Sequence, residues 1–209
     1  MENGRTGVLR HQLTFVPVTP LSVYRTWIRL KTRAFSVLCR GSFRRFGGRS
    51  VIVPPLRVSG ERWIEVGAGV TIGADCWLQV LSVGRVGEDG ALRIGDGTSI
   101  AGSCTVSVAR SVDIGKRVLI AGNVYISDHR HSFDDPVVPI ADQGIADIRP
   151  VKIGDGAWLG RNVVVCPGVT IGRHAVVGAN SVVKHDVPDY AVAAGAPARV
   201  VRMGGHGKA

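Results

Sequence analysis

Aromatic residues are scarce in this chain, whereas small and aliphatic residues are abundant. Only 6% of the 209 residues are aromatic, although 45% are hydrophobic and 28 are glycines. A core without large rings is typical of narrow coils, whose interiors hold Val, Ile and Ala and whose corners hold Gly. The composition therefore favours a continuous core of narrow coils, in a chain long enough for one domain.

The chain also lacks a CxxC motif and a long apolar run. Its four cysteines are Cys39, Cys76, Cys104 and Cys166. Cys76 and Cys104 each lie four residues after an aliphatic residue, Ile72 or Ile100, where small inward residues belong. We interpret these two as reduced core-packing residues rather than disulfide partners or metal ligands, which indicates a reducing compartment. A bilayer-spanning helix needs about 18 to 20 apolar residues, and the first residues carry no apolar segment of a signal peptide. We therefore expect a cytoplasmic protein.

Acidic residues are outnumbered by basic ones. There are 16 Asp and Glu against 26 Lys and Arg, and the formal net charge is +10. Such a surplus suits a polyanionic partner, which can be nucleic acid, an anionic membrane surface or a phosphorylated cofactor. We expect no nucleic acid partner, because no motif combines basic with aromatic residues.

An aliphatic residue recurs every six positions through most of the chain. The regular positions are Val66, Ile72, Leu78, Ile94, Ile100, Val106, Ile114, Ile120, Ile126, Ile153, Leu159, Val165, Ile171, Val177 and Val183. A period of six fits neither the 3.6-residue period of a helix nor the alternation of a single strand. It fits short strands that turn a corner every six residues and point their aliphatic side chains at one axis. The spacing predicts a parallel β-helix.

The predicted β-helix spans residues 50–188 and is interrupted twice. Residues 82–91 break the count and predict a protruding turn, whereas the Asp- and Pro-rich residues 132–150 predict a longer loop. A long excursion from a rigid scaffold is usually functional, and we assign the second loop to the acceptor site. Residues 1–49 are predicted to form an arm and a helix, and residues 189–209 a C-terminal segment and tail.

Residues 21–46 combine helical spacing of apolar residues with many arginines. An apolar stripe with this spacing comprises Val23, Trp27, Leu30, Ala34, Val37 and Leu38. The pattern predicts a basic amphipathic helix that ends at Gly47-Gly48. Two interpretations of this helix stay open. Either it packs against the end of the β-helix or a neighbouring subunit, or it contacts the anionic inner face of a membrane as a peripheral anchor.

One histidine cluster, Asp128-His129-Arg130-His131, directly precedes the long loop. In an extended segment His129 and His131 would share one face. Three interpretations compete: a pair of surface histidines, a metal site that lacks any further ligand spacing, and a general base for a hydroxyl or amine acceptor. The chain has no Gly-x-Ser-x-Gly nucleophile motif, which favours direct transfer over a covalent acyl-enzyme.

The C-terminal half carries a specific series of motifs. They are IGDGAWLG at 153–160, VCPGVTIG at 165–172, VGANSVV at 177–183 and AAGAPARVVR at 193–202. Together with Asp128-His129 they resemble the hexapeptide-repeat acyltransferases, and most closely the O-acetyltransferases of lipopolysaccharide and capsular polysaccharide. The resemblance covers about residues 50 to 202. It implies an all-β fold, a left-handed parallel β-helix assembled as a homotrimer with active sites between subunits. It also implies acetyl-CoA as acyl donor, without a metal.

The resemblance assigns roles to individual residues. His129 matches the catalytic base, and a backbone N–H near Gly160 or Arg161 is the implied oxyanion donor. Residues implied to bind the cofactor are Trp158, Gly160, Arg161, Ala179, Lys184, His185, Arg199 and Arg202. Residues implied to bind the substrate are Ser103, Asp128 and His131. Ser103 belongs to the corner Ala101-Gly102-Ser103, where the galactoside enzymes have an acceptor-contacting Asn, so this chain departs from that branch.

The sequence therefore predicts an acetyl-CoA-dependent O-acetyltransferase that acts on a sugar hydroxyl of a cell-surface glycan or its precursor. N-acetylation of an amino sugar, free or linked to a nucleotide, uses the same base and donor and stays open. A γ-class carbonic anhydrase needs three zinc-binding histidines, and His129, His131, His174 and His185 do not have that spacing. A non-catalytic β-helix scaffold is the remaining alternative.

Overall fold

The computed structural model describes residues 19–81 and 91–204. Within these residues the chain winds around one axis, and strands from successive turns stack in parallel to form three sheets. The predicted turn at 82–91 lies outside the described residues except for Ala91, and so do most of the predicted arm and the end of the tail. Stacked parallel strands with six-residue spacing confirm the predicted β-helix.

The three sheets form the three sides of the coil. The first sheet contains β1 (Arg45–Phe46), β4 (Ile64–Val66), β7 (Leu92–Ile94), β10 (Val112–Ile114), β15 (Val151–Ile153) and β18 (Thr170–Ile171). The second sheet contains β2 (Val51–Ile52), β5 (Thr71–Ile72), β8 (Ser99–Ile100), β11 (Leu119–Ile120), β16 (Trp158–Leu159), β19 (Val176–Val177), β21 (Ala191–Gly195) and β22 (Ala198–Met203). The third sheet contains β3 (Leu56–Ser59), β6 (Cys76–Val80), β9 (Thr105–Val108), β12 (Tyr125–Ser127), β17 (Val164–Val165) and β20 (Val182–Val183).

The aliphatic residues of the six-residue repeat fill the interior. Ile120, for example, lies in register between Ile100 and Leu159, and all three are buried. Cys76 and Cys104 are buried in the same core and are free thiols. Burying one Val, Leu or Ile side chain contributes roughly 1.5–3 kcal/mol. The stacked aliphatic rows therefore supply the main stabilisation of the coil.

The corner between the second and third sheets, here called the second corner, needs special backbone geometry. Asn123, Asn162 and Asn180 stack there with φ of 60°, 59° and 60°. Asn tolerates this left-handed conformation better than most residues, and the Asn162 side-chain amide donates to Asn180 Oδ1 at 2.8 Å. At the same corner a Cβ on Gly160 would lie 2.6 Å from the backbone nitrogen of Ala179. The coils stack closely at Gly160 because it has no side chain.

The helix α1 spans Pro20–Cys39 and is shorter than the predicted 21–46. Thr19 caps its N-terminus in a capping box with Ser22. A 3-10 turn at Arg40–Ser42 follows, and Arg45–Phe46 already form β1 in the first coil. The helix ends early because Phe43 is drawn into the core, where its ring lies 5.4 Å from that of Phe46.

Helix α1 caps the N-terminal end of the coil, but with the face opposite to the predicted apolar stripe. The packed face buries Thr32 and Ser36, and Ile52 donates its backbone N–H to Ser36 Oγ at 2.9 Å. Ile52 lies in β2, the edge strand of the second sheet. An edge strand has unpaired backbone groups that an apolar side chain cannot satisfy. The same face packs Phe35 and Cys39 against the core, so the hydrogen bond to the edge strand and these apolar contacts together select it, and the apolar stripe stays exposed.

The C-terminal end of the coil is closed by a hairpin. Strand β21 pairs in parallel with β19 and antiparallel with β22, which forms the far edge of the second sheet. Among the described residues, no helix is both long and apolar enough to cross a membrane.

Candidate active site

Between β12 and β15 the chain leaves the coil at the corner between the third and first sheets, here called the third corner. Strand β12 ends at Ser127 and the coil resumes at Val151. In between, β13 (Arg130–His131) pairs antiparallel with β14 (Ile145–Ala146), and a 3-10 turn spans Ile140–Asp142. This excursion contains residues 132–150, where the sequence predicts a long loop, and it begins beside Asp128 and His129.

Asp128 and His129 form a buried hydrogen-bonded pair at the start of this loop. Asp128 Oδ1 lies 2.8 Å from His129 Nδ1. The same carboxylate accepts the backbone N–H groups of Ala109 at 2.8 Å, Arg110 at 2.7 Å and Ser111 at 2.7 Å. Asp128 is fully buried, and His129 is 8% exposed. The carboxylate is therefore fixed on the preceding coil and in turn fixes the imidazole ring.

The hydrogen bonds keep Asp128 ionised in spite of its burial. Burial by itself would raise the pKa of Asp128, but the hydrogen bonds from His129 and from the three backbone N–H groups together hold its pKa below the ordinary value. An ionised carboxylate only accepts hydrogen bonds, so Nδ1 of a neutral His129 carries the proton. Nε2 then carries the lone pair, which is the arrangement that a general base requires.

Two serines that sequence reasoning did not single out surround the imidazole. Ser107 Oγ lies 3.5 Å from His129 Nε2, and Ser127 Oγ donates to the His129 carbonyl oxygen at 2.8 Å. The two serines are register partners in β9 and β12. Each directly follows an interior residue of the six-residue repeat, Val106 or Ile126. Aligning the sequences of successive coils in register would therefore have placed both serines beside His129.

The condition for a shared face of His129 and His131, an extended segment from Asp128 onwards, is not met: Asp128 lies in a bend, and only Arg130 and His131 form a strand. His131 is exposed and pairs with Ile145 in the loop hairpin. Within the described residues, no group of three or more His, Cys, Asp and Glu residues is placed to hold a metal ion.

The residues implied to bind substrate and cofactor fall on separate parts of the coil. Ser103, Gly160, Arg161 and Ala179 lie at the second corner, whereas Lys184 and His185 lie at the third corner with His129. The two corners bound the same sheet, and the five residue steps from Arg161 to Cys166 that join them span about 16 Å at the rise of a strand. One subunit therefore does not bring Arg161 to His129.

The remaining cofactor candidates lie on the second sheet. Trp158 is 48% exposed on the outer surface of β16, in register with the exposed Leu119. Arg199 and Arg202 lie on β22 and are exposed. Arg161 is exposed as well, and its guanidinium group lies near Gly122 of the preceding coil. These basic groups are thus available at the surface.

Two family models match this chain. One is described as bacterial transferase hexapeptide (six repeats) and matches residues 150–185; the other, hexapeptide repeat of succinyl-transferase, matches residues 91–128. The Escherichia coli protein WbbJ, named as a lipopolysaccharide biosynthesis O-acetyl transferase, is 33% identical over 85% of this chain and 85% of its own length. The chain belongs to the hexapeptide-repeat acyltransferase family.

A Mycobacterium tuberculosis protein named as an acetyltransferase is 35% identical over 88% of this chain, which spans 58% of that relative's length. Among solved structures, a hexapeptide-repeat acetyltransferase of Vibrio cholerae in complex with acetyl-CoA has a TM-score of 0.59 and 29% identity, and the match covers 88% of this chain and 81% of that one. An N-acyltransferase of Bacillus cereus in complex with dTDP and coenzyme A has a TM-score of 0.67 at 21% identity over 80% of this chain and 88% of that one, which shows the fold alone. The coil is the left-handed β-helix of this family.

Proposed function

We propose that this protein transfers the acetyl group of acetyl-CoA to a sugar hydroxyl of a cell-surface glycan or its precursor, with His129 as general base. The observation that carries the proposal is the buried Asp128–His129 pair, whose geometry leaves Nε2 as a proton acceptor beside an ordered loop. The acetyltransferase names of the relatives support the reaction, and the lipopolysaccharide name of the Escherichia coli relative supports the acceptor class.

In the proposed reaction His129 Nε2 takes the proton of the acceptor hydroxyl while its oxygen attacks the thioester carbonyl carbon. The carbonyl oxygen becomes negatively charged and needs a hydrogen-bond donor. The Gly160 N–H already donates to the Val177 carbonyl oxygen at 2.8 Å, so we assign this role to the Arg161 N–H. When the carbon–sulfur bond breaks, the protonated His129 returns its proton to the thiolate. Asp128 stabilises the imidazolium in between.

We propose a homotrimer with each active site between two subunits. The separation of the second and third corners supports this assembly, because Arg161 and His129 can act on one thioester only if they come from different copies. Leu119, Tyr125 and Trp158 are large apolar side chains exposed on the outer surface of the coil, which suits a subunit interface.

The donor site of this proposal contains Trp158, Arg161, Ala179, Lys184, His185, Arg199 and Arg202. Its basic groups suit the pyrophosphate and the 3′-phosphate of CoA. Gly160 is assigned to the donor site through its backbone, which can be approached closely. Ser103, His131 and the loop 132–150 are assigned to binding of the acceptor. We place Asp128 behind His129 rather than against the substrate, because its carboxylate is fully buried. A cytoplasmic location would give access to acetyl-CoA.

The test is acetyl-CoA turnover, read as release of free thiol, against a panel of sugars, amino sugars and nucleotide sugars. We expect His129→Ala to lower kcat by about 10²- to 10⁴-fold, the usual contribution of a general base, while CoA binding is retained. His174→Asn is the matched control: this histidine lies at another corner with φ of 52°, a conformation that Asn also tolerates.

Each outcome separates two functions. Turnover with sugars that carry only hydroxyl groups supports O-acetylation. Turnover that requires an amino sugar would instead show that the reaction is N-acetylation. A wild-type protein that binds no CoA would contradict the transferase proposal and favour the scaffold.

A further inference from the structure

Helix α1 presents a second, unpartnered face. Its packed face covers the edge of the coil, and the apolar stripe defined above points away from it. Within this stripe Trp27 is 54% exposed and Leu38 is 82% exposed. Soluble proteins rarely expose a contiguous apolar surface of this kind unless it binds a partner.

The charge around the stripe has a single sign. Helix α1 carries Arg25, Arg29, Lys31 and Arg33 and no acidic residue, and the first acid after Thr19 is Glu61. Arg29 and Arg33 stand four residues apart and therefore lie on the same flank of the helix. On the other flank Lys31 Nζ lies 5.1 Å from the ring centroid of Trp27. The stripe is thus bordered by cations on both sides.

We propose that the exposed face of α1 docks on an anionic phospholipid bilayer. An apolar stripe with aromatic residues and a basic border is the pattern of helices that lie in the membrane interface. The rings of Tyr24 and Trp27, 6.4 Å apart, suit the boundary between headgroups and acyl chains. The packed face and the docking face are different surfaces of one helix, so capping the coil and binding lipid do not compete.

A second copy of the same helix is a poorer occupant, because it would bring like charges together. The acidic loop 132–150 of another subunit is the remaining protein partner to be tested. This inference does not depend on the acetyl transfer proposed above, since vesicle binding is measured without acetyl-CoA or acceptor.

The test is flotation of the full chain with vesicles of phosphatidylcholine alone and of phosphatidylcholine mixed with phosphatidylglycerol. We expect binding to the mixed vesicles that weakens with added salt. Arg29→Gln with Arg33→Gln should weaken it by about fivefold for each arginine, the effect of one basic residue near an anionic surface. Trp27→Ser with Leu30→Ser should weaken it by more than tenfold, on the order of the effect of losing two buried apolar side chains.

Lys116→Gln with Lys152→Gln is the charge-matched control, because both lysines are exposed and lie on the coil away from α1. It should retain binding within about twofold. Equal binding to both vesicle types, or an equal loss in the control, would overturn the proposal. The proposal would also be overturned if the Trp27 and Leu30 double variant kept vesicle binding but had a different mass in sedimentation, because the exposed face of α1 would then contact another subunit. An unchanged midpoint of thermal unfolding for each variant shows that its fold is intact.

Discussion

Replacing Asp128 by asparagine tests how the candidate base is held. Asp128 Oδ1 is shared by His129 Nδ1 and the Ala109 N–H, and Oδ2 is shared by the N–H groups of Arg110 and Ser111. Asn has almost the same shape but only one oxygen. Whichever way its amide is turned, two of the four donors face an NH₂ group that cannot accept from them.

The cost follows from these contacts. A hydrogen bond to a charged group contributes about 1.5–3 kcal/mol, and a buried donor left without a partner costs about 1–3 kcal/mol. Because these contributions overlap, we expect Asp128→Asn to lower the free energy of unfolding by roughly 2–4 kcal/mol. If the amide NH₂ faces His129, the imidazole carries its proton on Nε2 and is no longer a base. We therefore expect kcat to fall by about 10²- to 10⁴-fold.

The assay is a double-mutant cycle with His129→Ala, measured by urea unfolding and by turnover. In the His129→Ala background Asp128→Asn should still destabilise the fold but should not lower turnover further, since residues that act as one unit are not additive. An equal loss of turnover in both backgrounds would refute the argument, because Asp128 would then contact substrate directly.

The pH dependence of stability provides an independent check. The pKa of Asp128 is lower in the folded protein than in the unfolded chain. Its contribution is therefore present above the unfolded pKa of about 3.9 and is lost as the pH falls through the folded pKa. Asp128→Asn should reduce the slope of stability against pH in this acidic range, and an unchanged slope would contradict the assignment.

Two further predictions concern the coil. Leu159→Ala, which leaves a cavity in the core, should lower the free energy of unfolding by about 2–5 kcal/mol in urea titrations, whereas Leu119→Ala on the outer surface should change it by less than about 0.5 kcal/mol unless a subunit interface covers it. Gly160→Ser should destabilise the coil by about 1–3 kcal/mol in thermal unfolding because its Cβ would meet the Ala179 backbone. Gly48→Ala, where a Cβ meets nothing within 4 Å, is the control that should stay close to wild type.

The amino-acid sequence by itself determined the coil and the position of the candidate base. The recurrence of an aliphatic residue at every sixth position is a local property, because each strand with its corner is built from six consecutive residues. Each such strand then stacks in register on the strand of the next coil. For the same reason the break at 132–150 and the position of His129 shortly before it could be read from the chain. The inward positions of Cys76 and Cys104 followed from the same count.

Only the tertiary structure decided which side chains meet. Asp128 binds His129 because the chain bends there and backbone N–H groups of the preceding coil hold the carboxylate, which strand alternation cannot predict. Ser107 reaches the imidazole from a coil twenty-two residues earlier. The packed face of α1 was selected by the hydrogen bond to the edge strand β2 together with the contacts of Phe35 and Cys39 with the core, so the stripe that predicted the helix in the sequence became its exposed face.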